Sequence, residues 1–264
     1  EPAHFSFPLS LGAVIGARTA EFHGALATQT ADPAFSPENI TDEDVEGWIA
    51  ETSDEVRRIL ERLRSTSFEP ESTSATTAAE ILRREDEILT LIQQAASYPA
   101  EGLRTRIHGD YHLGQLLVAS GDFVIIDFEG EPHRPLDERR GKYSPLRDVA
   151  GMLRSIDYAA AAVERSLDDP GDAHRDTAAA RLRQWRDQTS GEFLAAYFGL
   201  DASHGNLAET NNGTERLSKF TRALLDLFLI QKAAYEIGYE LANRPDWVEI
   251  PLRGLLEIVD REVA

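Results

Sequence analysis

Residues 105–130 read TRIHGDYHLGQLLVASGDFVIIDFEG, and the rest of the chain is organised around them. Ile107 leads into His108-Gly109-Asp110. Two apolar stretches, Leu116–Val118 and Phe123–Ile126, flank Ala119–Asp122, where Ser120-Gly121 is a turn pair. Short apolar runs on either side of such a pair predict a β-hairpin. Asp110 precedes the first strand and Asp127 ends the second, so the hairpin delivers two carboxylates to one end.

Two acids so placed are how phosphoryl-transfer enzymes set a catalytic base beside a metal ligand. A loop of the form H-x-D-x-x-x-x-N carries an amide five residues after the base, where its oxygen reaches Mg²⁺. Here Gln115 stands five residues after Asp110. Gln offers the same hard oxygen on one more methylene. Asp127 follows Asp110 by seventeen residues and is the second candidate ligand, with Glu129 close enough to add charge. Two other readings fit the same residues. Asp110 and Asp127 are common loop residues, able to cap a turn and end a strand. Alternatively, His108, Asp110 and His112 alternate, so on a strand they would share one face and offer a zinc site. The remaining histidines, His4, His23, His133, His174 and His204, form no second cluster at ligand spacing.

HGDYHLGQLL followed by IIDFEGEP resembles the catalytic loop and metal-binding segment of small-molecule kinases of the aminoglycoside phosphotransferase type. The narrower resemblance is to maltokinases, including those fused to trehalose synthase. Gln115 departs from the Asn of the wider family but agrees with the maltokinase pattern. Arg140–Ala160 (RGKYSPLRDVAGMLRSIDYAA) and Ala242–Leu255 (ANRPDWVEIPLRGL) also resemble maltokinases. The likeness covers nearly the whole chain, but only the C-terminal part of the family.

Composition narrows the partners. The 264 residues hold 46 carboxylates against 27 Lys and Arg, a net charge of −19. That balance argues against nucleic acid or an anionic membrane as partner. It also means that a bound nucleotide needs Mg²⁺ and local arginines. The absence of Cys excludes disulfides and thiolate chemistry, and fits a cytoplasmic protein. No apolar run reaches the length of a membrane span. The first residue is Glu1 rather than Met, which reads as a fragment, a processed form or a trimmed start.

Along the chain, residues 1–8 read as an extended lead-in, and 9–26 as a helix with Leu11, Ile15, Phe22 and Leu26 on one side. Arg18 falls on that face, and His23 reads as a packed helix residue. A loop at 27–40 precedes a helix from Thr41 to about Arg64, then a loop at 65–77 and a helix at 78–96. The segment 130–144 is a Pro- and charge-rich loop. In the kinase reading it occupies the activation-segment position. Gly109 stands where protein kinases carry a phosphate-pairing Arg, so this loop is not expected to be a phosphorylation switch. Helices follow from Pro145 to about Val163, at 177–198, at 215–242 and between Trp247 and Val263, with loops at 167–174 and 200–214.

The sum is about seven helices and one short hairpin, mainly α, without the β-α alternation of a parallel sheet. The resemblance implies the C-terminal lobe of a protein-kinase-like fold, residues 1–264 forming one helical lobe with its catalytic hairpin at 105–130. Such an enzyme also needs a cover over the phosphates and a cation on them. No G-x-G-x-x-G occurs, and the three lysines, Lys142, Lys219 and Lys232, all follow the catalytic loop. The N-terminal nucleotide-covering lobe is therefore read as absent from this chain, and the chain alone as inactive.

What the resemblance implies for function is transfer of the γ-phosphoryl of ATP to maltose, giving maltose 1-phosphate, with Mg²⁺ as cofactor. Asp110 would act on the sugar hydroxyl, with Gln115 and Asp127 on the metal. His108 and Asp148 would brace the catalytic loop, although Asp148 also reads as an ordinary acid of a helix first turn. His112 and Glu129 are candidate substrate contacts. Tyr235, Glu236, Tyr239 and Trp247 are candidate wall residues, since aromatics pair an apolar face with a polar tip. Core packing is their alternative reading. The expected partners are maltose, ATP, the missing lobe in cis and a trehalose synthase. An aminoglycoside, choline or another small alcohol as acceptor, or a non-catalytic docking lobe, fits the same residues.

Overall fold

The computed structural model describes residues 11–119, 122–132, 134–166, 173–199 and 217–263. The lead-in expected at 1–8, the turn pair Ser120-Gly121, most of the loop at 167–174 and the loop at 200–214 lie outside these residues.

The expected hairpin forms. Strands β3 (Leu116–Ala119) and β4 (Asp122–Ile125) pair antiparallel, with Leu116 opposite Ile125 and Ala119 opposite Asp122. A second pairing is absent from the sequence reading. Within the expected loop 27–40, β1 (Glu38–Asn39) pairs with β2 (Leu103–Arg104). Two residues per strand leave no periodicity to read, and side chains decide the pairing. Arg104 donates to Glu38 Oε2 and Asp44 Oδ1, both at 2.6 Å.

The helices are α1 (Leu11–Leu26), α2 (Asp42–Ser65), α3 (Thr73–Arg83), α4 (Glu85–Gln93), α5 (Leu136–Arg139), α6 (Leu146–Ser166), α7 (Ala173–Tyr197), α8 (Lys219–Asn243) and α9 (Glu249–Val263). Helix α2 starts where Thr41 predicts. Thr41 and Asp44 form a capping box, each side chain bonding the other's backbone N–H. The single helix expected at 78–96 is instead two. Ser72 caps Ala75 N–H and starts α3 inside the expected loop. Arg84 breaks the run, with its side chain drawn to Glu87 and Asp260. Helix α8 begins two residues after Leu217, at the hydroxyl cap of Ser218.

Helix α8 is the centre. Its buried residues run from Phe220 through Leu224, Phe228, Gln231 and Ala234 to Glu240, almost all the way round. A helix apolar on every side belongs in a core. Helices α2, α4, α6 and α9 pack against it, and α7 and α1 are stacked beyond α6. Helix α1 meets α7 through small residues rather than through the expected Leu11–Ile15–Phe22–Leu26 side. A Cβ on Gly12 would lie 2.2 Å from the Thr189 carbonyl oxygen, and one on Gly16 2.3 Å from that of Phe193. The buried face is Gly12, Ile15, Gly16, Thr19 and His23. Among the described residues no helix is long and apolar enough to cross a membrane.

Candidate active site

The hairpin register assembles the first part of the site. Leu116 faces Ile125, and one step further Ile126 N–H donates to Gln115 O at 3.0 Å. This sets Gln115 beside the next residue, Asp127, and the Gln115 amide lies 3.4 Å from Asp127 Oδ2. Asp127 has φ +63°, a left-handed conformation that Asp tolerates better than most residues and that marks a bend imposed by its surroundings. The same Gln115 amide nitrogen is 3.4 Å from His112 Nε2, and His112 Nε2 is 3.9 Å from Asp110 Oδ2. Asp110, His112, Gln115 and Asp127 thus form one connected row.

The loop carrying Asp110 is held from beneath. Asp148, buried in the first turn of α6, accepts from His108 N–H at 2.7 Å and Gly109 N–H at 2.9 Å. His108 is buried and its Nε2 donates to the Ile126 carbonyl at 2.8 Å. Its Nδ1 then accepts, at 3.4 Å, from Asp110 N–H. Gly109 has φ +81°, which a side chain would rarely adopt, so the turn between His108 and Asp110 requires glycine. The spacing argument for a zinc site assumed a strand here. The backbone turns instead, His108 faces the core, and no metal-binding group of three His, Asp or Glu exists among the described residues.

Asp110 faces a cleft, partly open to solvent, lined also by Glu55, Glu131, Arg134, Arg147, Gln231, Lys232 and Tyr235. Burial pushes the Asp110 carboxyl up from the usual aspartate range, while Lys232, at 3.9 Å, pulls it back. Burial lowers the His112 imidazole, against the pull of Asp110. Burial also raises the Tyr235 hydroxyl, and Glu131 adds to the rise. The walls are tied together. Glu51 takes Arg134 at 3.0 Å and the Tyr143 hydroxyl at 2.8 Å, and Arg147 stacks over the Tyr143 ring.

The candidate residues do not all converge. Tyr235 lines the cleft, with the Lys232 ammonium over its ring, and Tyr239 stacks next to it. Glu129 is exposed, its carbonyl bonded to Arg139. Glu236 is paired with buried Arg154 at 2.6 Å. Trp247 stacks on Tyr158, with Arg165 and Arg244 against its ring. Neither Glu236 nor Trp247 lines the cleft. Lys232, Glu55, Glu131 and Arg134 were missed as site residues. Lys232 had a signal, standing one turn before Tyr235 on the same helix; Glu55 and Arg134 had none, because long-range packing brings them in.

A divalent cation suits part of this set. Mg²⁺ takes few protein ligands, all hard oxygens, and leaves the rest to phosphates and water. Asp127 and Gln115 supply one carboxylate and one amide side by side. The Gln115 amide lies against Asp127, and half a turn of its plane would present the oxygen to a cation held there.

Comparison with known proteins gives a consistent picture. A profile described as the phosphotransferase enzyme family matches residues 11–185. A glucosamine kinase of Streptacidiphilus jiangxiensis is 27% identical over 249 residues, covering 94% of this chain and 49% of that protein. A glucosamine kinase of Mycolicibacterium smegmatis (strain ATCC 700084 / mc(2)155) is 27% identical over 254 residues, covering 93% of this chain and 53% of that protein. The solved structure of a glucosamine kinase in complex with glucosamine, ADP and inorganic phosphate superposes with a TM-score of 0.73 at 23% identity, over 96% of this chain and 55% of that one. That last likeness speaks for the fold alone. The chain spans about half the length of these relatives.

Proposed function

The chain belongs to the phosphotransferase enzyme family, and from that premise we propose that it is the catalytic, acceptor-binding lobe of an ATP-dependent sugar kinase. The observation that carries this reading is the connected row from Asp110 through His112 and Gln115 to Asp127. It joins a proton acceptor facing a cleft to a pair of hard-oxygen ligands.

In the reaction, the acceptor hydroxyl oxygen bonds to the γ-phosphorus of ATP and the bond from that phosphorus to the β,γ-bridging oxygen breaks. ADP leaves, and the hydroxyl proton passes to Asp110. The raised carboxyl pKa suits a group that must take a proton. Lys232 keeps the Asp110 carboxylate charged and oriented until then. Gln115 and Asp127 are the residues that would hold Mg²⁺, which when bound neutralises charge on the phosphate oxygens. A segment outside this chain supplies the cover over the phosphates and the cation that completes their charge, so turnover belongs to the full-length protein.

The first acceptor we propose is maltose, phosphorylated at its anomeric hydroxyl, as the family resemblance of the loop implies. The cleft suits a sugar: carboxylates, guanidinium groups and the Tyr235 ring offer both polar edges and an apolar face. A second reading, an amino sugar, is favoured by the carboxylates of Asp110, Glu55 and Glu131 at the same cleft, and by the glucosamine kinases to which the chain is similar. The test is the full-length protein with ATP, Mg²⁺ and, separately, maltose, glucosamine, glucose and an aminoglycoside, with products read by ³¹P NMR. A sugar phosphate supports the proposal, and its identity chooses between the acceptors. Phosphorylation of the aminoglycoside alone, or of nothing, overturns it.

A further inference from the structure

Helix α1 touches the catalytic segment at three points and its brace Asp148 at a fourth, and its side chains have no part in the chemistry described so far. Arg18 donates to both carboxylate oxygens of Asp122, at the head of β4, at 2.8 and 2.7 Å. Thr19 Oγ1 donates to the Ile15 carbonyl and accepts from the Tyr111 hydroxyl, both at 2.8 Å. Phe22 packs on Phe128, the residue after Asp127, with ring centroids 5.4 Å apart. His23 reaches furthest in. Its Nε2 is 3.2 Å from Asp148 Oδ2 and its Nδ1 2.9 Å from the Tyr197 hydroxyl.

His23 was expected to be a packed helix residue, and it is buried, but both ring nitrogens are used. A carboxylate only accepts, so Nε2 carries the hydrogen towards Asp148, and Nδ1 shares a hydrogen bond with the Tyr197 hydroxyl. Asp148 therefore has three donors: His23, His108 N–H and Gly109 N–H. A buried carboxylate short of a donor is costly and is free to turn. Here Oδ2 is shared between His23 and His108, so the ring sets the plane in which Asp148 presents its oxygens to the loop. Asp110 is the residue after Gly109, whose left-handed backbone the second oxygen holds.

We propose that His23 is a positioning residue for phosphoryl transfer: through Asp148 it sets the His108–Gly109 backbone and hence the direction of the Asp110 carboxylate. This rests on Asp110 being the base. Displacing a reacting group by about 1 Å costs up to about 100-fold in rate.

The test uses the full-length protein and two readouts: steady-state kinetics, and hydrogen exchange at the amides of His108 and Gly109. His23→Leu removes both hydrogen bonds and keeps an apolar side chain. It is expected to lower kcat by about 10- to 100-fold with the acceptor KM within about threefold, and to speed exchange at the two amides. His23→Gln keeps a donor towards Asp148 and should restore most of kcat and the slow exchange. Should His23→Leu fail to fold, Tyr197→Phe removes only the hydroxyl bonded to Nδ1, and a smaller change of the same sign is expected in both readouts. Folded His23→Leu, or Tyr197→Phe in its place, with either readout at its wild-type value overturns the proposal, as does a lowered melting temperature with kcat unchanged. If the wild-type protein phosphorylates no sugar, the function reading fails on its own, and exchange alone decides whether His23 holds the loop.

Discussion

Helix α8 and the β3–β4 hairpin are held by different balances of apolar packing and directional bonds. Along α8, Leu224, Leu227, Ile230, Ala233, Ala234 and Ile237 are fully buried. On the hairpin, Leu117, Val118 and Val124 are 53%, 61% and 49% exposed. Apolar burial keeps α8 in place without direction, at roughly 25 cal/mol per Å². A two-stranded hairpin is marginal alone, and this one packs against the core through the half-buried Leu116, Phe123 and Ile125 while its other face stays exposed. It is also held by directional bonds from elsewhere: Arg18 on Asp122, Asp148 on the His108–Gly109 turn and the Ile126 carbonyl on His108. The bulk of the stability and the geometry of the proposed site therefore sit in different parts of the chain, and substitutions should separate them.

The largest effect tests the hairpin side. Asp110→Asn keeps the shape and removes the proposed proton acceptor. The expected loss in kcat of the full-length protein is about 10²–10⁴-fold, with its melting temperature nearly unchanged. Initial rates and a thermal melt measure both, and near-normal turnover would take Asp110 out of the mechanism.

The core side gives the second. Leu227→Ala leaves a cavity in the centre of α8 and should cost about 2–5 kcal/mol in a urea titration. The folded fraction should still turn over, since Leu227 is no part of the cleft. A specific activity that falls with stability would break the separation.

The third and smallest links the two regions. Gly16→Ala forces a Cβ against the Phe193 carbonyl and pushes α1 away from α7. Overpacking of this kind costs about 1–3 kcal/mol. Because α1 also carries Arg18, Thr19 and His23, kcat should fall as well, unlike in Leu227→Ala. An unchanged kcat in Gly16→Ala would show that α1 does not set the hairpin.

Much of the fold was legible because it is periodic. The α8 pattern from Phe220 to Leu241 and the Thr41 cap with Asp44 are local signals, and both elements form. The hairpin was legible for the same reason, its two apolar runs being joined by a turn pair. Legibility stopped where the deciding contact lay far along the chain. Arg84, which splits the helix expected at 78–96, answers to Asp260. The β1–β2 pairing answers to Arg104. At the site, Asp110, Gln115 and Asp127 lie within one short stretch and were visible as a spacing. Lys232 was counted only as a lysine out of place, and it stands 3.9 Å from Asp110.

By itself the sequence determined most of the elements and the proximity within the row, because a hairpin register converts spacing directly into proximity: Leu116 against Ile125 leaves Gln115 beside Asp127. Tertiary structure alone decided what surrounds that row. Glu55 from α2, Arg134 from the segment before α5 and Lys232 and Tyr235 from α8 reach the cleft only once α8 is packed. Asp148 and His23, 125 positions apart, become a bonded pair only when α1 and α6 come together. A polar bond between distant residues leaves no period in the sequence, since it needs only one residue at each end and a core that holds both ends still.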